Sequence, residues 1–112
     1  MGNVGTIKVF EDDRVAIWEL VMEPGESTPI HTHAHDYVFY ILEGATIEVF
    51  DAGGAFLYTF ESKAGDAFAF KCVDGELVSA DGKGLRTPVT HSARNAGTTR
   101  FREILVETKA RG

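Results

Sequence analysis

The sequence holds one cysteine, Cys72, so no disulfide can form within the chain, and a reducing compartment is expected. Basic residues are also few. Eleven lysines and arginines against 17 aspartates and glutamates leave a formal net charge of −6. No basic stripe is available to track a phosphate backbone, so nucleic acid is not the expected partner. Arg94, Arg100, Arg102, Lys109 and Arg111 gather toward the C-terminus, but acidic residues interrupt them. Long apolar runs are missing. None approaches the roughly 20 residues that cross a bilayer, and no basic-then-apolar signal pattern opens the sequence. A soluble, cytoplasmic protein with no membrane partner is expected. Helix periodicity, internal repeats and linker-like stretches are absent as well, so residues 1–112 are read as one domain. A hydrophobic share of 44% is enough to build its core.

What remains is strand after strand. Thr6 to Phe10 is a short β-type run closed by the acidic turn Glu11-Asp12-Asp13. Val15 to Met22 places Val15, Ile17 and Val21 on one face and Ala16, Trp18, Leu20 and Met22 on the other, as in a strand covered on both sides. Tyr37 to Leu42 is strongly apolar. Thr46 to Phe50 and Phe56 to Phe60 flank Asp51-Ala52-Gly53-Gly54, a hairpin signal. Ala67 to Phe70 and Phe101 to Val106 complete the set. Short strands at regular spacing with glycine and proline between them predict an all-β sandwich or barrel. Residues 71–90 break the rhythm with Asp74-Gly75, Asp81-Gly82, Gly84 and Pro88. Connections this long are uncommon in compact domains; Glu76-Leu77-Val78 can form a small strand within this one, which reads either as a flap over the site that His91 joins or as a surface excursion.

Three of the four histidines lie in Pro-Gly-Glu-Ser-Thr-Pro-Ile-His-Thr-His-Ala-His-Asp-Tyr, residues 24–37. A strand over residues 31–37 turns His31, His33 and Tyr37 to one face, because alternate side chains of a strand point the same way. Two such imidazoles can reach one metal ion, and His91 can close the site from a neighbouring strand. Imidazole suits Zn, Cu, Fe and Ni. His35 is left as a further ligand, a proton carrier or an exposed residue at the mouth. The same parity turns Phe39 and Ile41, then Ile47 and Val49, into the lumen as an apolar small-molecule pocket. Val38, Tyr40 and Leu42 point out as a partner patch, with Trp18 beside it. Arg86 and Arg94 are the guanidinium groups suited to grip an anionic substrate. No nucleophile elbow surrounds Ser92, so serine hydrolase chemistry is not expected.

Pro24-Gly25, then His31-Thr32-His33, then Gly44 after an apolar strand resembles the first motif of the cupin superfamily. Gly65-Asp66, Pro88, His91 and Asn95 resemble the second. The resemblance implies a jelly-roll β-barrel of two antiparallel sheets holding a divalent transition metal (Fe, Zn, Ni or Mn) through His31, His33 and His91, with Asn95 structural. The chain departs from the pattern twice. Tyr37 stands where the family's glutamate ligand is usual, and the gap from Gly65 to His91 is long. A site of three neutral imidazoles resembles that of cupin-type thiol and diketone dioxygenases. The expected protein is thus a metal-dependent dioxygenase for a small organic molecule, with Tyr37 as the acid–base or donor group and Phe39, Ile41 and Arg86 on the substrate. Isomerase or lyase chemistry and a non-catalytic binding module are the alternatives, and a homodimer is the expected assembly.

Overall fold

The structure, a computed structural model, describes residues 2–109; Arg111 lies outside them. The described residues form eleven strands and no helix. They are β1 (Ile7–Glu11), β2 (Val15–Met22), β3 (His31–Thr32), β4 (Asp36–Glu43), β5 (Thr46–Asp51) and β6 (Phe56–Glu61). Then come β7 (Ala67–Val73), β8 (Glu76–Ser79), β9 (Arg86–Pro88), β10 (Thr90–Asn95) and β11 (Phe101–Thr108). Two antiparallel sheets result, one of seven strands in the order β1-β2-β11-β4-β7-β8-β9 and one of four in the order β3-β10-β5-β6. No strand ladder joins the two into a closed ring among the described residues. They face each other as an open jelly roll.

Turn chemistry sets the hairpins. Asp51 Oδ1 accepts from the backbone N–H groups of Gly53 and Ala55, and Gly54 takes φ +87°, which closes β5 onto β6. Asp74 and Gly75, both at positive φ, make the two-residue turn between β7 and β8. Residues 71–90 are largely sheet rather than loop. They extend the larger sheet through β8 and β9, Leu77 is fully buried, and Leu85 and Thr87 reach the cavity wall.

Trp18 differs from its expected place. It shares the inward face of β2 with Ala16 and Met22, and its Nε1 donates to the buried carboxylate of Glu107 at 2.8 Å. Val38 and Tyr40 do face out and are about half exposed. Inside, Phe39, Phe60 and Phe68 pack ring against ring between the sheets, with Phe39 and Phe68 stacked at 4.9 Å. Asn95 ties the strand ends together. Fully buried, it donates through Nδ2 to the carbonyls of Met22 (3.0 Å) and Thr99 (2.8 Å) and accepts from the Gly97 N–H (2.9 Å). Every polar atom of that amide is used, which is a structural role.

Candidate metal centre

The strand expected over residues 31–37 breaks after Thr32. The chain leaves the smaller sheet, crosses the lumen mouth, and enters the larger sheet at Asp36. The crossing is pinned where His33 N–H donates to the Val89 carbonyl at 2.9 Å and Cys72 Sγ donates to the His35 carbonyl at 3.2 Å. Burial of the Cys72 thiol raises its pKa, so it stays protonated near neutral pH and serves this crossing rather than acting as a nucleophile.

Despite the break, His31, His33 and Tyr37 all turn inward and are buried. His91 sits directly opposite His31 in the antiparallel β10–β3 pair. Register alone thus brings two distant histidines side by side. The ring centroids lie 4.7 Å apart for His31 and His91, and 5.0 Å for each pair that includes His33. One ring nitrogen from each of the three falls within 4.8 Å of the others, and no cysteine or carboxylate joins the group among the described residues.

The donor set fits a metal ion. His31 Nδ1 is bound to the Pro29 carbonyl (3.0 Å) and His91 Nδ1 to the Pro88 carbonyl (2.8 Å), so in each ring Nδ1–H donates and the other nitrogen is free to ligate. His33 Nδ1 is buried with no hydrogen-bond partner among the described residues. Burial is also the main reason these rings resist protonation. His33 is pushed down to about 2, with His91 and His31 adding repulsion. His91 is pushed down to about 4 against the opposing pull of the Pro88 carbonyl, and His31 is lowered as well. Three neutral imidazoles held ready to ligate are what a divalent transition metal requires.

Tyr37 stacks on His33, centroids 4.2 Å apart and planes 16° apart. Its burial raises the phenol pKa well above the ordinary value, with Glu103 adding to the effect. The hydroxyl therefore stays protonated beside the cluster. Phe39 lines the cavity as expected, together with Ile47 and Val49. Ile41 does not: it is fully buried within the core and is not part of the cavity wall. Inward parity puts a side chain in the core but does not guarantee it a free surface. Arg86 is a second correction. It lies outside the cavity, exposed on β9, with Nε on the Glu76 carboxylate at 3.0 Å. Its neighbour Thr87 takes the inward position instead and meets the Tyr58 hydroxyl. Arg94 likewise faces away, paired with Glu48 at 3.1 Å. His35 is half-buried and stands apart from the three-histidine group.

Two acidic residues escaped the sequence reading. Glu103 and Glu107 both point inward from β11. Glu107 supports Trp18, but Glu103 lines the cavity and has no hydrogen-bond partner among the described residues. Burial alone raises its pKa to about 8, so it is a neutral acid near pH 7. The signal was faint, because β11 mixes apolar and charged residues on both faces.

The fold is that of the cupins. The chain is similar to a cupin domain from Bordetella pertussis, with a TM-score of 0.68 and 22% identity, covering 98% of this chain and 99% of that one. A double-stranded β-helix protein from Klebsiella pneumoniae matches with a TM-score of 0.57 at 20% identity, over 96% of this chain and 80% of that one. The polyketide cyclase RemF from Streptomyces resistomycificus matches at 0.54 and 20% identity, over 90% and 61% respectively. No protein-family model matches the chain, and no curated protein matches it significantly.

Proposed function

We propose that this protein is a metal-dependent enzyme for a small organic molecule bound in the lumen, with Fe, Zn, Ni or Mn held by His31, His33 and His91. The observation that carries the reading is the convergence of three buried, neutral imidazoles on one aromatic-lined cavity. An ion held there supplies Lewis-acid chemistry and, as iron, oxygen activation. Neutral ligands leave its charge uncancelled, which favours an anionic or enolisable substrate. The walls, among them Phe39, Ile47, Val49 and Phe60, keep water from the reacting atoms. Tyr37 holds its proton beside His33 and donates a hydrogen bond to the bound substrate.

Dioxygenation is the first reading, supported by the all-imidazole donor set in an apolar lumen. Isomerase or lyase chemistry is the second, favoured by Glu103, a proton-holding carboxyl in the same cavity. Two proteins of similar fold are a polyketide cyclase and a cupin sugar phosphate isomerase, although one fold hosts many chemistries. The experiment is to load metal-free protein with Fe(II) or Zn(II) and screen small thiols, diketones and hydroxy-aromatic acids, following oxygen and product together. Oxygen uptake with Fe(II) and none with Zn(II) supports the dioxygenase. Conversion without uptake favours the isomerase or lyase. In either case Tyr37→Phe should keep the metal and slow turnover about 10²-fold. No conversion with either metal across the panel overturns the enzyme reading in favour of a binding module.

A further inference from the structure

Glu103 is placed at a cost to the fold. A buried carboxyl with no protein partner gives up most of its bulk hydration, and the oxygens of this one are left facing the cavity. Its neighbour on the same face, Glu107, shows the ordinary solution, a buried carboxylate satisfied by Trp18. Glu103 instead opens onto the cavity. It also stands on the opposite wall from the histidines: β11 belongs to the larger sheet, β3 and β10 to the smaller. Along β11 it is offset from the metal end. Tyr37, which stacks on His33, is paired with Glu107, and Glu103 pairs with Ile41 two inward-facing rows further on. Four residues of strand is about 13 Å between Cα atoms. Side chains stand roughly perpendicular to a strand, so the offset along the lumen remains, less a metal–oxygen bond at one end and a hydrogen bond at the other; an elongated ligand fits such a span. The cavity itself is small: its 70 Å³ is room for a few waters, against about 150 Å³ for a cavity that takes benzene, so the walls must part to admit a ring. The register row between the two ends holds Phe39 and Leu105, both on the cavity wall.

We propose that Glu103 is the recognition group at the far end of the cavity, and that the ligand is a flat, elongated molecule. One end carries an oxygen donor for the histidine-held metal; the other carries a hydroxyl or carbonyl oxygen that completes the hydrogen bonds of the Glu103 carboxyl. This rests on the metal reading above. As a neutral acid near pH 7, Glu103 both donates and accepts, so it matches a hydroxyl and does not select a cation.

The test uses calorimetry at pH 6.5 on Zn(II)-loaded protein with benzoate, 4-hydroxybenzoate and 4-(aminomethyl)benzoate, in the wild type, Glu103→Met and Glu103→Gln. The wild type should bind 4-hydroxybenzoate about tenfold tighter than benzoate, since one hydrogen bond to an otherwise orphaned group contributes about that much. Glu103→Met should erase the preference, and Glu103→Gln should retain part of it. Thermal melting of the metal-free proteins gives a second readout: Glu103→Met should melt higher than wild type, whereas a structural glutamate would melt lower when replaced. Equal affinities in the wild type, a preference that survives Glu103→Met, tighter binding of the ammonium compound, or a lower melting point each overturn the proposal. So does failure of all three acids to bind. Absence of Zn(II) binding by the wild type overturns the metal reading instead, and Glu103 is then judged by the melting shift and by the same acids on metal-free protein.

Discussion

Burial of the histidines and of Glu103 gives the metal-free protein two opposed pH dependences. A buried histidine ring is harder to protonate than the same ring in the unfolded chain, whose value is near 6.5. Its contribution to stability is therefore present above about 6.5 and lost as the pH falls toward about 4 for His91 and lower still for His33. Glu103 runs the other way. Its pKa is raised from 4.5 to about 8, so its contribution is full below about 4.5 and is lost as the pH rises through about 8. Chemical denaturation across pH 4 to 9 should give a stability maximum between these limbs. Glu103→Gln should flatten the alkaline limb alone, by on the order of a few kcal/mol. An alkaline limb unchanged in that variant would mean the carboxyl is solvated. The same burial changes what is expected of the metal: an exposed histidine site loses its ion near pH 6.5, whereas this one should hold it to lower pH, because its rings resist protonation. At the residue scale the three clustered histidines were legible, because two histidines two apart and a third within a matching motif leave a distinct pattern. Glu103 was hidden by a strand whose two faces, Phe101-Glu103-Leu105 and Arg102-Ile104-Val106, carry no polarity contrast. Arg86 misled because charge type says nothing about which face a short edge strand presents.

Among the elements, most strands were legible to within a residue or two from their alternation and their turn signals. The break after Thr32 was not. Residues 31–37 keep an inward-outward alternation that one straight strand would show, and only the pairing of β3 with β10 and of β4 with β11 and β7 reveals the crossing. Of the β8–β9 extension, Glu76-Leu77-Val78 was legible as a small strand and is β8, whereas β9 was not, since three residues leave too little pattern. One element boundary is set by close approach. At Gly44, between β4 and β5, a Cβ would lie 2.1 Å from the Ser62 carbonyl oxygen and 2.6 Å from Lys63 Cα. The Ser62–Lys63 backbone cannot yield cheaply, so Gly44→Ala should cost on the order of 3 kcal/mol in urea denaturation. A loss under about 0.5 kcal/mol, the range of an ordinary surface change, would mean that the strands meet differently here.

Over the whole molecule, the outer face of the larger sheet carries apolar rows. Ile17, Val106, Val38 and Ala69 are register neighbours across β2, β11, β4 and β7, and Ile104, Tyr40 and Ala67 form the next row. We propose that a second copy covers this face, as an exposed apolar patch of this kind favours a two-fold pair. Light scattering at micromolar concentration should give a dimer, and Val38→Lys with Tyr40→Lys should give a monomer. A monomeric wild type would contradict the pairing.

The lumen is expected to hold one metal ion through His31, His33 and His91. Elemental analysis of protein purified without added metal, alongside the three single alanine variants, tests it most directly. Near one transition-metal ion per chain in the wild type, and almost none after His31→Ala, His33→Ala or His91→Ala with the fold retained, is the expected result. Full occupancy in the folded His91→Ala protein, or a metal-free wild type that also fails to take up Fe(II), Zn(II), Ni(II) or Mn(II) on addition, would contradict it.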